Sequence, residues 1–225
     1  MARRLHVLNP NRSTAMTEAV LAQVRRQLPP GWQALGHTAA DGPPVIASRE
    51  TFEAAASRAA GWPARIDPPL QHGDALLLAC FGDPGLEALR AAAAPCPVSG
   101  LAEAAVAAAV AARQRFAIVT AGPAWVELLT QRVADFGAAA WLSGVQALPF
   151  DGRRLREDPQ ACRPALKAAL QAAERGGAEA LILGGAAFAG LDLRPGLHTR
   201  LPLIDPVAAA TTRLVSDTSR DRHGD

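Results

Sequence analysis

Short apolar runs punctuated by glycine, proline and asparagine alternate along this chain with stretches of helical spacing. The clearest run is Ala75 to Ala79, which leads into Cys80 and is closed at once by Gly82, Pro84 and Gly85. A continuous apolar run of that length, ended by Gly and Pro, predicts a strand buried on both faces with Cys80 at its carboxyl end. Ahead of it, Leu5 to Leu8 predicts a first strand and Asn9 to Thr14 a polar turn. A helix follows from about Ala15 to Gln27, capped by Ser13 or Thr14 and stopped by Pro29-Pro30-Gly31. Trp32 to Thr38 reads as a weaker strand, and Glu50 to Ala60 as a helix. After the central strand come a helix over Leu86 to Ala94, a short strand at Pro97 to Gly100 and an alanine-rich helix over Leu101 to Arg113.

The pattern then restarts. Phe116 to Thr120 predicts a strand, a turn follows at Ala121-Gly122-Pro123, and a helix runs to about Phe136. Ala138 to Ala147 reads as a strand region and Arg163 to Arg175 as a helix. Glu179 to Leu191 repeats the central strand and its Gly-rich turn at an offset of 105 positions, so that Cys80 aligns with Gly185. Pro97-Val98 and Pro202-Leu203 keep the same offset, each ahead of an alanine-rich helix. Strands alternating with helices imply parallel sheets with right-handed crossovers. The expected fold is therefore α/β, two pseudosymmetric doubly wound lobes with a cleft between their strand ends. The lobes are expected at 1–113 and 114–215, with a final helix over 206–215 packing back on the first. Ser216 to Asp225 is polar and charged, and is expected to be disordered.

Composition narrows the setting more than the chemistry. A net charge of +2 gives no electrostatic case for nucleic acid or an anionic membrane as partner. Three cysteines, an odd number, do not make a disulfide framework. Asn9-Pro10-Asn11 ends the first apolar run too early for a signal peptide, and no apolar stretch approaches the roughly 18 residues of a membrane span. A cytoplasmic protein with a small-molecule substrate is expected.

Cys80 carries the sharpest chemical signal. A strand-end thiol ahead of a Gly-rich turn and a helix lies near backbone N–H groups and a positive dipole end, which lower a thiol pKa. Cys96, between two prolines, and Cys162, at the start of an amphipathic helix, read as structural. Neither the cysteines nor the five histidines have metal-ligand spacing, and no phosphate loop or dinucleotide fingerprint is present. Asn9, Asn11, Ser13, Thr14, Ser99 and Thr120 fall at predicted strand ends. There they either hold a carboxylate or imide, or serve as turn and cap residues. Asp83 either orients the thiol region or initiates the turn. His6 reads as a core or edge residue, and His37 and His198 stay ambiguous.

With these residues in place, a resemblance becomes visible. Leu8-Asn-Pro-Asn-Arg-Ser-Thr-Ala-Met-Thr17, Gly42-Pro43, Ala79-Cys-Phe-Gly-Asp-Pro-Gly-Leu86 and Pro202-Leu-Ile-Asp-Pro-Val207 resemble the hydantoin racemases of the aspartate/glutamate racemase superfamily. The likeness runs from Leu8 to about Leu214. It implies two pseudosymmetric lobes, no cofactor or metal, a homo-oligomer, and two cysteines facing each other across the cleft. One cysteine removes the proton from the chiral carbon, and the other returns one on the opposite face. By that resemblance Cys80 is the first acid/base thiol.

The second thiol is expected in a Leu-Gly-Cys-Ala-Gly-Met-like stretch, which here reads Leu183-Gly184-Gly185-Ala186-Ala187-Phe188. Gly185 stands where that cysteine is expected. Loss of a positioned acid/base group costs about 10²–10⁴-fold in rate. Three readings follow: a slow racemase with water on the second face, a single-cysteine decarboxylase or isomerase, or a small-molecule-binding protein. Under the first two, amides around Phe81-Gly82 and Gly184–Ala186 would stabilise enolate charge. Asn9, Asn11 and Thr120 would hold the substrate.

Overall fold

The computed structural model describes residues 3–191 and 199–220. Its core is a pair of four-stranded parallel sheets. The first holds β1 (Arg3–Asn9), β2 (Trp32–Thr38), β3 (Ala75–Leu78) and β4 (Val98–Gly100) in the order β2-β1-β3-β4. The second holds β5 (Phe116–Ala121), β6 (Leu142–Leu148), β7 (Ala180–Gly184) and β8 (Leu203–Ile204) in the order β6-β5-β7-β8. The connecting helices are α1 (Thr14–Arg25), α2 (Arg49–Ala56), α3 (Leu86–Ala93), α4 (Leu101–Ala111), α5 (Trp125–Asp135), α6 (Gly152–Glu157), α7 (Pro159–Arg175) and α8 (Pro206–Arg220).

The repeat seen in sequence has physical counterparts. Every residue of β3 is buried, as a two-sided strand requires. Asp74, just before β3, accepts from the Arg4 backbone N–H at 3.2 Å, and Glu179, just before β7, accepts from that of Arg115 at 2.8 Å. Leu76 N donates to Pro97 O at 2.9 Å, and Leu181 N to Pro202 O at 3.0 Å. These paired bonds set the register of equivalent strands in the two sheets.

Several elements depart from the sequence expectation, among them the helix expected over Glu50 to Ala60, which ends at Ala56 before a 3₁₀ turn at Ala59–Gly61. Ala139–Trp141 forms a single 3₁₀ turn before β6 instead of extending the strand. The stretch 152–157, for which the pattern predicts no element, is α6, with Asp151 accepting from Arg154 N at 3.0 Å as its cap. Its Arg-Arg-Leu-Arg-Glu sequence buries only Leu155, too little to show a helical period. The expected disorder from Ser216 is overturned as far as Arg220, where α8 ends. Val207, Ala210, Thr211, Leu214 and Thr218 form one buried stripe, and the Thr218 hydroxyl donates to Leu214 O. That stripe outlasts the apolar residues because a threonine with a satisfied hydroxyl extends it. Residues 221–225 and His198 lie outside the described residues.

Helix α8 packs against α1, α4, β3 and β4, bringing the last element back onto the first sheet. Glu103 on α4 holds it there, accepting from Arg213 at 2.9 Å and from Arg90 on α3 at 3.0 Å. Buried Gln23 on α1 reaches the second sheet's loops, donating to Asp205 and accepting from Gly190 N. Among the described residues no helix is long and apolar enough to cross a membrane, and no group of three His, Cys, Asp or Glu could hold a metal ion.

His6 of β1 is fully buried, as its place in a strand suggested, and its Nδ1 meets His37 Nε2 at 2.9 Å. Its Nε2 lies 3.5 Å from Asp74 Oδ2, too far for a good hydrogen bond. Burial, aided by His37, pushes the His6 pKa down to about 4. The unfolded chain therefore binds a proton that the folded chain refuses, so His6's contribution is complete above about pH 6.5 and is lost as pH falls towards 4. Between pH 7.5 and 5 the loss should be about 2 kcal/mol. Urea midpoints at the two pH values, for wild type and His6→Gln, check this; the slope should flatten in the variant.

Candidate active site

A cavity of about 300 Å³ opens between the carboxyl ends of the two sheets, as expected for parallel sheets whose strand ends converge. From the first sheet it is lined by Asn11, Val45, Ile46, Ala79, Cys80 and Phe81. From the second come Thr120, Trp125, Phe150, Asp151 and Gly184 to Ala187. Of the residues singled out in sequence, Cys80, Gly185, Asn11, Phe81, Thr120, Gly184 and Ala186 meet here. Asn9 and Gly82 are not on the wall.

Asn9 is committed to shaping the turn below. Its amide donates to Asn11 Oδ1, Ser13 O and Thr17 Oγ1, and its Oδ1 accepts from Asn11 N. That lattice turns Asn11 into the cavity, with Nδ2 donating, among the described residues, to the weak acceptor Met16 Sδ at 3.4 Å. Ser13 caps α1 by accepting from Met16 N at 3.2 Å. Ser99 is buried and bonds to Gly100 O. Cys96 and Cys162 are buried away from the cavity, their thiols directed at carbonyls of Gln71 and Arg154.

The loop after β3 is clamped from both sides. Asp83 has a positive φ of 56°, and its buried carboxylate accepts from Ala102 N at 3.1 Å and Glu103 N at 2.7 Å. It is thus the missing cap of α4, supplied from the cysteine loop. A Cβ at Gly100 would collide with this carboxyl, so that position must be glycine. From the second lobe, Arg132 Nε donates to Gly82 O at 3.0 Å. Trp125 meets Phe52 edge-on and crowds Gly82. Asp83 therefore does more than start a turn.

Enclosure reverses the expectation for the thiol. Cys80 is only 7% exposed, packed with Ile46 and Ala55 beside Phe52 and Trp125. Burial, with the Asp83 charge adding to it, pushes the Cys80 pKa up instead of down. The turn amides and helix end do not offset desolvation here, because α3 begins only at Leu86. Burial also lifts Asp83 to about 7, against the two backbone donors that favour its charge. In the unliganded protein Cys80 rests as a thiol, a proton donor.

Across the cavity, Gly184 and Gly185 differ in kind. A Cβ at Gly184 would lie 2.5 Å from Ile118 Cγ2 and 2.7 Å from Phe81 Cε1. Gly185 has φ 165° and ψ 137°, extended backbone open to any residue. A Cβ there meets Phe188 at 3.4 Å, an ordinary contact. The position expected for a second thiol thus has room for a side chain.

Several wall residues escaped the sequence reading: Met16, Val45, Ile46, Trp125, Phe150 and Asp151. Strand order offered a signal. Since β2 and β6 are equivalent, the loops after them, carrying Val45–Ala47 and Pro149–Gly152, must both reach the cleft.

Two mirrored parallel-sheet lobes around a cleft that holds a strand-end thiol define the Asp/Glu racemase-like class of fold. The Asp/Glu/Hydantoin racemase family profile matches residues 5–214, and this chain belongs to that family. It is 35% identical over 209 residues to a hydantoin racemase of Rhizobium meliloti, covering 92% of this chain and 85% of that one. It is 32% identical over 213 residues to that of Paenarthrobacter aurescens, covering 92% and 87%. The crystal structure of an allantoin racemase from Pseudomonas fluorescens superposes with a TM-score of 0.88 at 28% identity, over 97% of this chain and 92% of the other.

The contrast between the two glycines is measurable. Gly184→Ala should cost about 1–3 kcal/mol, as overpacking of a tight core does, whereas Gly185→Ala should leave thermal stability nearly unchanged. Paired melting curves of the two variants check this.

Proposed function

We propose that this protein racemises a 5-substituted hydantoin by moving a proton at the chiral ring carbon, with Cys80 as the acid/base group on one face. The observation that carries the reading is the meeting of Cys80 and Gly185, equivalent strand-end positions of the two lobes, in one cavity. Curated relatives named as hydantoin racemases support the ring. Ile46, Trp125 and Phe150 offer an apolar surface for the ring substituent, and Asn11 and Thr120 offer neutral hydrogen bonds to an imide. The developing enolate oxygen would be met by backbone N–H groups of the two Gly-rich turns. Gly185 N itself is directed at Leu183 O, which leaves this task to its neighbours.

The thiol's raised pKa fits the donating half of the reaction, since a protonated Cys80 delivers hydrogen to a carbanion as it forms. Three free cysteines suit a reducing, cytoplasmic setting, and the family likeness suggests assembly of several copies, which light scattering would size.

Proton NMR of a single-enantiomer 5-substituted hydantoin in D₂O, with optical rotation in parallel, tests the reading. Wild type should incorporate deuterium with matching loss of rotation. Cys80→Ser should slow racemisation by about 10²–10⁴-fold. Absence of exchange by wild type with either enantiomer would remove the hydantoin assignment.

A further inference from the structure

The geometry points to Asp151 as the acid/base residue on the substrate face opposite Cys80, in the role that Gly185 leaves open. This assignment rests on the racemase reading above. Among the described residues that line the cavity, Cys80 and Asp151 are the ionisable ones. They come from different lobes, Cys80 after β3 and Asp151 after β6.

Asp151 is also held beside the turn that contains Gly185. A Cβ at Gly152 would lie 2.7 Å from Ala187 Cβ, so α6 is packed tightly on that turn. Arg156 of the same helix donates to Ala187 O at 3.2 Å and Ala189 O at 2.9 Å. One carboxylate oxygen of Asp151 is used as the α6 cap, accepting from Arg154 N at 3.0 Å. The second oxygen carries no such bond within the helix. Asp151 and Gly185 line the same cavity, and glycine at 185 adds no side chain to it.

The proton balance is simple. Asp151 carboxylate takes the ring hydrogen from the face turned to the second lobe, and the C–H electron pair passes into the adjacent carbonyl as an enolate. The Cys80 S–H proton then goes to the same carbon from the first-lobe face, leaving a thiolate. Transfer of the proton from Asp151 to solvent, and of one from solvent to Cys80, restores the starting state. The opposite enantiomer runs the same steps backwards from thiolate and carboxylic acid. No other reactant is needed.

Asn is as good a helix cap as Asp, so Asp151→Asn keeps the Arg154 bond and should melt with wild type. Each hydantoin enantiomer is followed separately in D₂O with wild type, Asp151→Asn, Cys80→Ser and Asp151→Asn/Gly185→Cys. Asp151→Asn should lose racemisation by about 10²–10⁴-fold, yet still exchange one enantiomer with retention. Cys80→Ser should spare exchange of the other enantiomer only. Adding Gly185→Cys to Asp151→Asn should restore racemisation, since a thiol then faces Cys80. Unchanged racemisation by Asp151→Asn overturns the assignment. So does an equal fall for both enantiomers without rescue, which would mark Asp151 as a substrate-holding group. Silence of wild type towards both enantiomers overturns the racemase reading and this assignment together, a result distinct from either.

Discussion

The site depends on one close approach, the Phe81 ring lying where a side chain at Gly184 would be. Phe81 follows Cys80 directly, and Gly184 precedes Gly185, so this contact fixes the distance across the cleft for both positions at once. Other cross-lobe ties reinforce it from the flanks. Arg132 holds the Gly82 carbonyl, and Gln23 bridges Asp205 and Gly190. Interiors packed at crystal-like density do not yield gradually, so the two strand ends are held as one rigid unit.

Rigidity of that kind has an electrostatic consequence. The wall that positions Cys80 also excludes water from it, and desolvation favours the neutral thiol. Asp83, which caps α4 and so fixes the loop's path, adds a negative charge close by and pushes in the same direction. Structure and reactivity thus conflict at this loop if the thiol must act as a resting base. They agree if it acts first as an acid. Ligand binding would change the balance only by bringing donors or positive charge near the sulfur, and the described cavity wall holds no cationic side chain.

Much of the fold was legible because strands buried on both faces write themselves as uninterrupted apolar runs. Ala75–Leu78 and its copy at Ala180–Gly184 needed no further information, and β2 matched its expected bounds of Trp32 and Thr38. Elements stabilised by caps were less visible. Helix α6 rests on Asp151 and one buried leucine, and α8 runs past its apolar residues because Thr218 satisfies its own hydroxyl. The site split the same way. Cys80 stood out in local sequence and its pairing with Gly185 in the repeat at an offset of 105, but the Asp83 bonds span 19 and 20 residues and the Arg132 bond spans 50. No periodicity records contacts of that range. Asn9 illustrates the converse: its type and place suggested a ligand, and only the bonds it makes reveal a scaffold for Asn11.

Symmetry and chemistry place different demands on this fold. Duplication supplies two equivalent strand ends, but removing a proton from one face and returning it to the other requires only that two groups differ in charge state at any moment. Two thiols meet that requirement by exchanging roles. A buried thiol and a carboxyl group from the other lobe would meet it with two unlike groups instead of two that alternate. On the racemase reading, glycine at 185 in place of a second thiol would cost less where another acid lines the same cavity. Gly185 has an extended backbone, and a Cβ there would meet Phe188 at an ordinary 3.4 Å, so the fold itself leaves room for either kind of second group at this strand end.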